Sequence, residues 1–307
     1  MEHGFDELYG FQADFFNVFL IRVLSVQSVK FVVHTKIRQT LQHGPVQGYR
    51  FGYSPIRFVR PVPVWCYWID GLLIDTAQRH MQREVLDTFA NQRIDRIVLT
   101  HFHEDHSGNT AALHHRHQCT VLAGNLTAER IANGFPLLPY ERFWFGQIDP
   151  CPGAVPLPAV IETERYAFQP IHTPGHSDDH HVLLEAAEGW LFSGDFYIGN
   201  LRIFRRGENI YRMIESTRRI LTYDFDTVFC GHNPVLKDGR RAVERKLQYL
   251  ETLVERVQVA HQRGLWGGAL LRAAGLPEQW WLRAFTGNDV GVVHLIRSIL
   301  NDSKPAV

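Results

Sequence analysis

The sequence offers no cysteine pair, no excess of charge and no long apolar run. Cys66, Cys119, Cys151 and Cys230 lie far apart with no CxxC spacing. That argues against a disulfide framework or a zinc–thiolate site, and for small buried side chains in a reducing compartment. Lysine plus arginine number 32, against 32 aspartate plus glutamate. A general polyanion binder draws its affinity from many phosphate contacts, so nucleic acid is an unpromising partner. The apolar stretch Phe15–Val26 has twelve residues and carries Arg22, short of the roughly 20 that span a bilayer. Glu2, Asp6 and Glu7 give an acidic start instead of the basic region of a secretory signal. These absences predict a cytoplasmic protein without a membrane partner.

What is abundant is histidine, at 17 of 307 residues. It is the commonest metal ligand and titrates near neutral pH, so its placement matters more than its number.

Residues 1–48 show no clear strand–turn rhythm and are set apart as an N-terminal extension. A rhythm begins near Tyr49. Val64–Ile69 is aromatic and β-branched, Asp70-Gly71 is a hairpin turn, and Leu72–Asp75 continues as a strand. Gln82, Val85, Leu86 and Phe89 fall at helical spacing, and Ile94–Thr100 and Thr120–Ala123 read as buried strands. The alternation predicts α/β layers over a catalytic domain of residues 49–236. Residues 133–158 interrupt it with six of the 15 prolines and the aromatics Phe135, Tyr140, Phe143, Trp144 and Phe145, a composition suited to a lid or pocket wall. Strands return at Tyr166–His172, His181–Ala186, Trp190–Ser193 and Thr227–Cys230, with an amphipathic helix on Ile210, Met213, Ile214, Thr217 and Leu221. Residues 237–307 turn helical: Val243, Leu247, Leu250, Val254 and Val257 mark one long helix. Asn288-Asp289 is a cap signal for a last helix through Ile299. Of the adjacent Trp280 and Trp281, only one can face the core of a regular helix, leaving the other for the catalytic domain or a second copy in a homodimer.

Chemistry concentrates in Thr100-His101-Phe102-His103-Glu104-Asp105-His106-Ser107-Gly108. In extended chain, residues two apart point the same way, so His101 and His103 can converge on one ion. A turn directly after them lets Asp105 and His106 face a second. Borderline divalent metals favour imidazole and carboxylate ligands. Three more such residues follow, each just past a strand: His176 in Thr173-Pro174-Gly175-His176-Ser177, Asp195 in Ser193-Gly194-Asp195, and His232 in Gly231-His232. His114, His115 and His117 fall on the helix after the motif and read as solvated helix residues.

These five motifs in order, over residues 50–236, resemble the metallo-β-lactamase-fold superfamily in its binuclear hydrolase form, which includes glyoxalase II. The resemblance implies a four-layer αββα sandwich with metals at one edge and a helical C-terminal appendage. It implies that His101, His103 and His176 bind one ion, that Asp105, His106 and His232 bind another, and that Asp195 bridges them. Asp75, in Leu73-Ile74-Asp75-Thr76, matches the acid that orients a ligand histidine. The implied cofactor is a pair of divalent ions, zinc first, with iron or manganese as alternatives. Such ions share a water whose pKa falls towards neutrality, and the resulting hydroxide attacks a carbonyl. Asp105 would also accept the nucleophile's proton.

The expected reaction is hydrolysis of a carboxylic ester, thioester or lactone of a small molecule. Residues 201–246 hold eleven Lys/Arg against six Asp/Glu, an excess suited to an anionic substrate tail, with Arg202, Arg205, Arg206, Arg240 and Arg241 beside the motif strands. Tyr197, His181, Phe143, Trp144 and Arg205 are the pocket candidates. Two alternatives stand: a phosphodiesterase or nuclease of the same fold, and a one-iron enzyme similar to persulfide dioxygenases. The β-lactamases with this first motif commonly lack the bridging aspartate, which is present here. The glutathione-binding pattern of glyoxalase II is not evident after Asn233-Pro234-Val235.

Overall fold

A computed structural model describes residues 34–199 and 204–301. The run Phe15–Val26 and Arg202 lie outside the described residues. The first sheet has seven strands in sequential order: β1 (Thr35–His43), β2 (Val46–Ser54), β3 (Val62–Ile69), β4 (Leu72–Ile74), β5 (Arg96–Val98), β6 (Thr120–Ala123) and β7 (Val155–Pro156). The pairings up to β3–β4 are antiparallel and the later ones parallel. The second sheet contains β8 (Ile161–Glu162), β9 (Ala167–His172), β10 (His181–Glu185), β11 (Trp190–Gly194) and β12 (Thr227–Cys230), ordered β12-β11-β10-β9-β8.

Strand alternation explains why the sheets stack. Along β3, Trp65, Tyr67 and Ile69 point into the space between the sheets, where Phe168, Leu183, Phe192 and Phe229 of the second sheet meet them. Val64 and Cys66 point the other way, onto a helical layer. Successive strand residues face opposite sides, so a strand apolar at every position is buried on both.

The helical layer on the first sheet is α1 (Gln82–Phe89), the single turn α2 (Glu104–Ser107), α3 (Thr110–His117), α4 (Asn125–Asn133) and α5 (Pro139–Phe145). On the second sheet, Val182, Leu184, Leu191 and Val228 pack against Ile220 of α6 (Ile210–Ile220) and Val243 of α7 (Gly239–Gln262). The result is the expected four-layer αββα sandwich. The C-terminal helices α8 (Gly267–Ala274), α9 (Trp280–Phe285) and α10 (Val292–Asn301) extend it, with Leu270, Leu295 and Ile299 packed against Ile210, Leu253 and Val257. Among the described residues no helix is long and apolar enough to cross a membrane.

Two local readings need correction. The segment set apart as residues 1–48 supplies β1 and the start of β2, paired from Thr35↔Ser54 to His43↔Val46. The boundary at 48 therefore cuts through a strand. The last helix is not capped by Asn288-Asp289. The Glu278 carboxylate accepts the Val292 and Val293 N–H groups at 3.2 and 3.1 Å instead, while Asp289 is drawn into an ion pair with Arg205.

Candidate metal centre

Every motif residue sits where a strand ends, on the shared edge of the two sheets. β5 runs out at Val98, and the chain crosses towards the second sheet: the Thr100 carbonyl accepts the His181 N–H at 2.8 Å. A second backbone bond, from Trp65 N–H to the Gly231 carbonyl at 2.6 Å, ties the loop after β12 to β3. Glycine is required where β11 ends. Gly194 has φ +45°, and a Cβ there would lie 2.7 Å from Thr100 Oγ1 and 2.8 Å from His180 Nε2.

The seven proposed ligands meet at this edge in two groups: His101, His103, His176 and Asp195, and Asp105, His106 and His232. His103 Nδ1 lies 3.0 Å from both His101 Nε2 and His176 Nε2. Asp195 Oδ2 is 3.4 Å from His176 Nε2, while its Oδ1 is 3.1 Å from His106 Nε2 and 3.4 Å from His232 Nε2. A tetrahedral ion with bonds of about 2.0–2.1 Å holds its ligands about 3.3 Å apart, which these separations approach.

Hydrogen-bond chemistry tests the fit. His106 Nδ1 faces Asp75 Oδ2 at 2.7 Å, His176 Nδ1 faces Glu208 Oε1 at 2.6 Å, and His232 Nδ1 faces the Pro63 carbonyl at 2.8 Å. Those partners accept, so each ring donates from Nδ1 and turns Nε2 inwards. His106 Nε2 and Asp195 Oδ1 then confront each other as buried atoms without a hydrogen-bond partner. A proton held on the imidazole by Asp195 bridges them in the metal-free protein and a divalent cation would replace it; the donor set suits zinc, iron or manganese.

The two groups differ electrostatically. Burial, reinforced by neighbouring imidazoles, holds His101 well below the usual histidine pKa. Burial with Arg205 nearby does the same to His103. Burial also opposes charge on His106 and His232, but Asp195 and Asp105 outweigh it and raise both well above the ordinary value. Asp195 is itself held far below the usual carboxylate range by His232 and His106 against its burial.

Asp75 takes a left-handed φ of +60° at the end of β4 and accepts the Thr100 N–H at 2.9 Å while facing His106. Two supporting residues were not anticipated. Glu208, whose other oxygen accepts the Arg205 N–H at 2.9 Å, orients His176. Fully buried His180 accepts the Asp195 N–H on Nε2 at 3.1 Å and faces Thr173 Oγ1 on Nδ1 at 2.8 Å. A histidine closely following the third ligand was the available signal for His180. No local pattern marks Glu208.

The pocket candidates separate. Arg205 is not free for a substrate anion: its guanidinium pairs with Glu141, with Asp289 at 3.3 Å, and lies 4.0 Å from Glu104. Burial pushes Glu104 up to about 8 even though Arg205 pulls it down. Trp144 is buried and meets Phe285 edge-on, joining α5 to the C-terminal helices. Tyr197 belongs to the core beneath the second sheet. His181 lies against His172 with the rings tilted by 39°, and its Nδ1 faces the Asp179 carbonyl at 2.8 Å. Phe143 is exposed.

Two sheets between helical layers, with a histidine–aspartate cluster that could hold metal on their common edge, define an αββα protein with a candidate metal site. Residues 59–232, more than half of the chain, match the family model for the metallo-beta-lactamase superfamily. The chain belongs to that superfamily. It is 28% identical over 211 residues to "Beta-lactamase-like protein 2 homolog" of Drosophila melanogaster, covering 60% of this chain and 65% of that protein. It is 25% identical over 197 residues to an atrochrysone carboxyl ACP thioesterase of Aspergillus fumigatus, covering 63% of this chain and 56% of the thioesterase. The matched region thus spans less than two thirds of either relative. Among solved structures, a metallo-beta-lactamase family protein from Thermus thermophilus superposes with a TM-score of 0.56 at 18% identity, covering 88% of this chain and 93% of that one. A flavo di-iron protein mutant from Thermotoga maritima superposes with a TM-score of 0.53 at 16% identity, covering 80% and 72%.

Proposed function

We propose that the chain is a binuclear metal-dependent hydrolase of carboxylic esters, thioesters or lactones. The observation that carries this reading is the shared carboxylate: Asp195 turns one oxygen towards His176 and the other towards His106 and His232. A carboxylate shared between two groups of imidazoles fits two ions better than one. Two bound ions would supply Lewis acidity and lower the pKa of a shared water. His101, His103 and His176 would hold one and Asp105, His106 and His232 the other, with zinc the first choice and iron or manganese the alternatives.

The chain's own side chains account for proton handling. Burial works against charge on Asp105, but His106 and His232 hold its pKa below the usual value. It therefore stays ionised at neutral pH and accepts the proton of the attacking water. Asp75 and Glu208 fix the rings of His106 and His176, so neither must reorient as charge develops. Among carbonyl substrates, thioesters gain weight from the thioesterase activity in the fungal relative's name.

The phosphodiesterase reading leaned on the basic stretch, much of which is spent internally. Arg205 serves Glu141 and Asp289, Arg218 pairs with Glu251 at 2.6 Å, and Arg240 donates to the Tyr223 and Leu221 carbonyls.

The test is one preparation, analysed for metal and assayed on thioesters, lactones, aryl esters and phosphodiesters. Carbonyl hydrolysis that chelation abolishes and zinc restores, at two ions per chain, is expected. Absence of carbonyl turnover with two ions bound would sink the hydrolase assignment, and one iron per chain would favour the dioxygenase alternative.

A further inference from the structure

Lys246 is 4% exposed, in the apolar face of α7 between Val243 and Leu250. Among the described residues its ammonium meets no carboxylate. It donates to the Phe196 carbonyl and lies 5.5 Å from the centre of the Phe196 ring. Burial lowers its pKa to about 8, with Glu208 and Asp195 among the groups pulling the other way. An ammonium buried with no carboxylate beside it gives up its hydration for little return. A methionine would fill the same volume without that cost, so the fold alone gives no reason for a lysine.

Its one acceptor belongs to the residue after the shared ligand. Three main-chain atoms of the turn Asp195-Phe196-Tyr197 are held from three different parts of the chain. The Asp195 N–H goes to His180 just before β10, the Phe196 carbonyl to Lys246 on α7, and the Tyr197 carbonyl to Cys230 on β12. Lys246 also walls a crevice of about 10 Å³ together with His176, Asp195, Met213 and Thr217, room for about one water.

We infer that Lys246 is a positioning residue of the metal centre: from the C-terminal helical region it holds the Asp195 turn through the Phe196 carbonyl and so sets the bridging carboxylate. The inference rests on the two-ion reading above. It makes α7 part of the centre, and the lysine a group kept at the expense of fold stability.

The experiment compares the full-length protein with Lys246→Met, which removes the donor, and Lys246→Gln, which keeps one. Zinc binding is measured by chelator competition and melting of the metal-free protein by calorimetry. Lys246→Met is expected to melt no lower than wild type and to bind its weaker zinc about tenfold or more less tightly, the scale of outer-shell changes. Lys246→Gln should recover to within about threefold of wild type. Unchanged zinc affinity in Lys246→Met overturns the inference, as does a fall in its metal-free melting temperature or a Gln variant no better than Met. Wild type binding fewer than two zinc ions would instead bring down the two-ion reading itself, and this inference with it.

Discussion

The two halves of the ligand cluster share Asp195 but carry opposite electrostatic characters. His101 and His103 follow β5 with His176 opposite, and burial keeps the first two imidazoles neutral. His106 and His232 face Asp105 as well as Asp195, and these carboxylates raise both imidazoles well above the usual value. The supports differ in kind too: Glu208 from the loop before α6 orients His176, while Asp75 at the end of β4 orients His106. A half-site of neutral imidazoles is ready for a cation, whereas a half-site of protonated ones must first give up protons.

The largest expected effect comes from removing what the halves share. Asp195→Ala should lower kcat/KM on the best carbonyl substrate by more than about 100-fold, beyond the range of outer-shell changes. Steady-state kinetics with added zinc checks it, and a smaller loss would mean that one half suffices. Next come the supports. Asp75→Asn and Glu208→Gln should each weaken zinc binding by about 10- to 100-fold, the first at the His106 half and the second at the His176 half. A two-step chelator competition separates them. Equal losses at both halves in either variant would erase the distinction.

The smallest effect is a proton count. At pH 7 the raised imidazoles His106 and His232 carry protons in the metal-free protein, while the depressed His101 and His103 do not. Zinc entering the Asp105–His106–His232 half should therefore release more protons than zinc entering the other. Calorimetry in buffers of different ionisation enthalpy measures this. The linkage runs the same way. Stabilisation of the metal-free fold by His106 and His232 is complete below the unfolded histidine value of about 6.5 and fades as pH rises through their folded values. His101 and His103 behave oppositely, with stability lost as pH falls below about 6.5. Equal proton release from both halves would break the comparison.

How far the primary structure can be read depends on whether the signal is local. The β3 strand and the motif after β5 were legible because alternation and ligand spacing act over a few residues. β1 was not: Thr35–His43 is an edge strand, half-buried at best, with few apolar residues to alternate. Arg205 reads from sequence as a pocket cation for an anionic substrate because Glu141 and Asp289, which pair with it, lie 64 and 84 residues away. Glu208 was missed for the same reason. Its meaning comes from His176, 32 residues earlier, and only the folded chain puts them in contact.

The proposed ligands lie along a seam. His101, His103, Asp105 and His106 leave the first sheet, while His176, Asp195 and His232 leave the second. An ion held across that seam is a clasp between two layers that otherwise adhere mainly through their apolar faces. The unfolded chain, with its ligands strewn over more than a hundred residues, presents no comparable site, so every increment of ion affinity becomes resistance to unfolding. At a free ion concentration 100 times Kd that resistance is about 2.7 kcal/mol. A cell's supply of the metal would then govern how long this protein lasts as well as how fast it works.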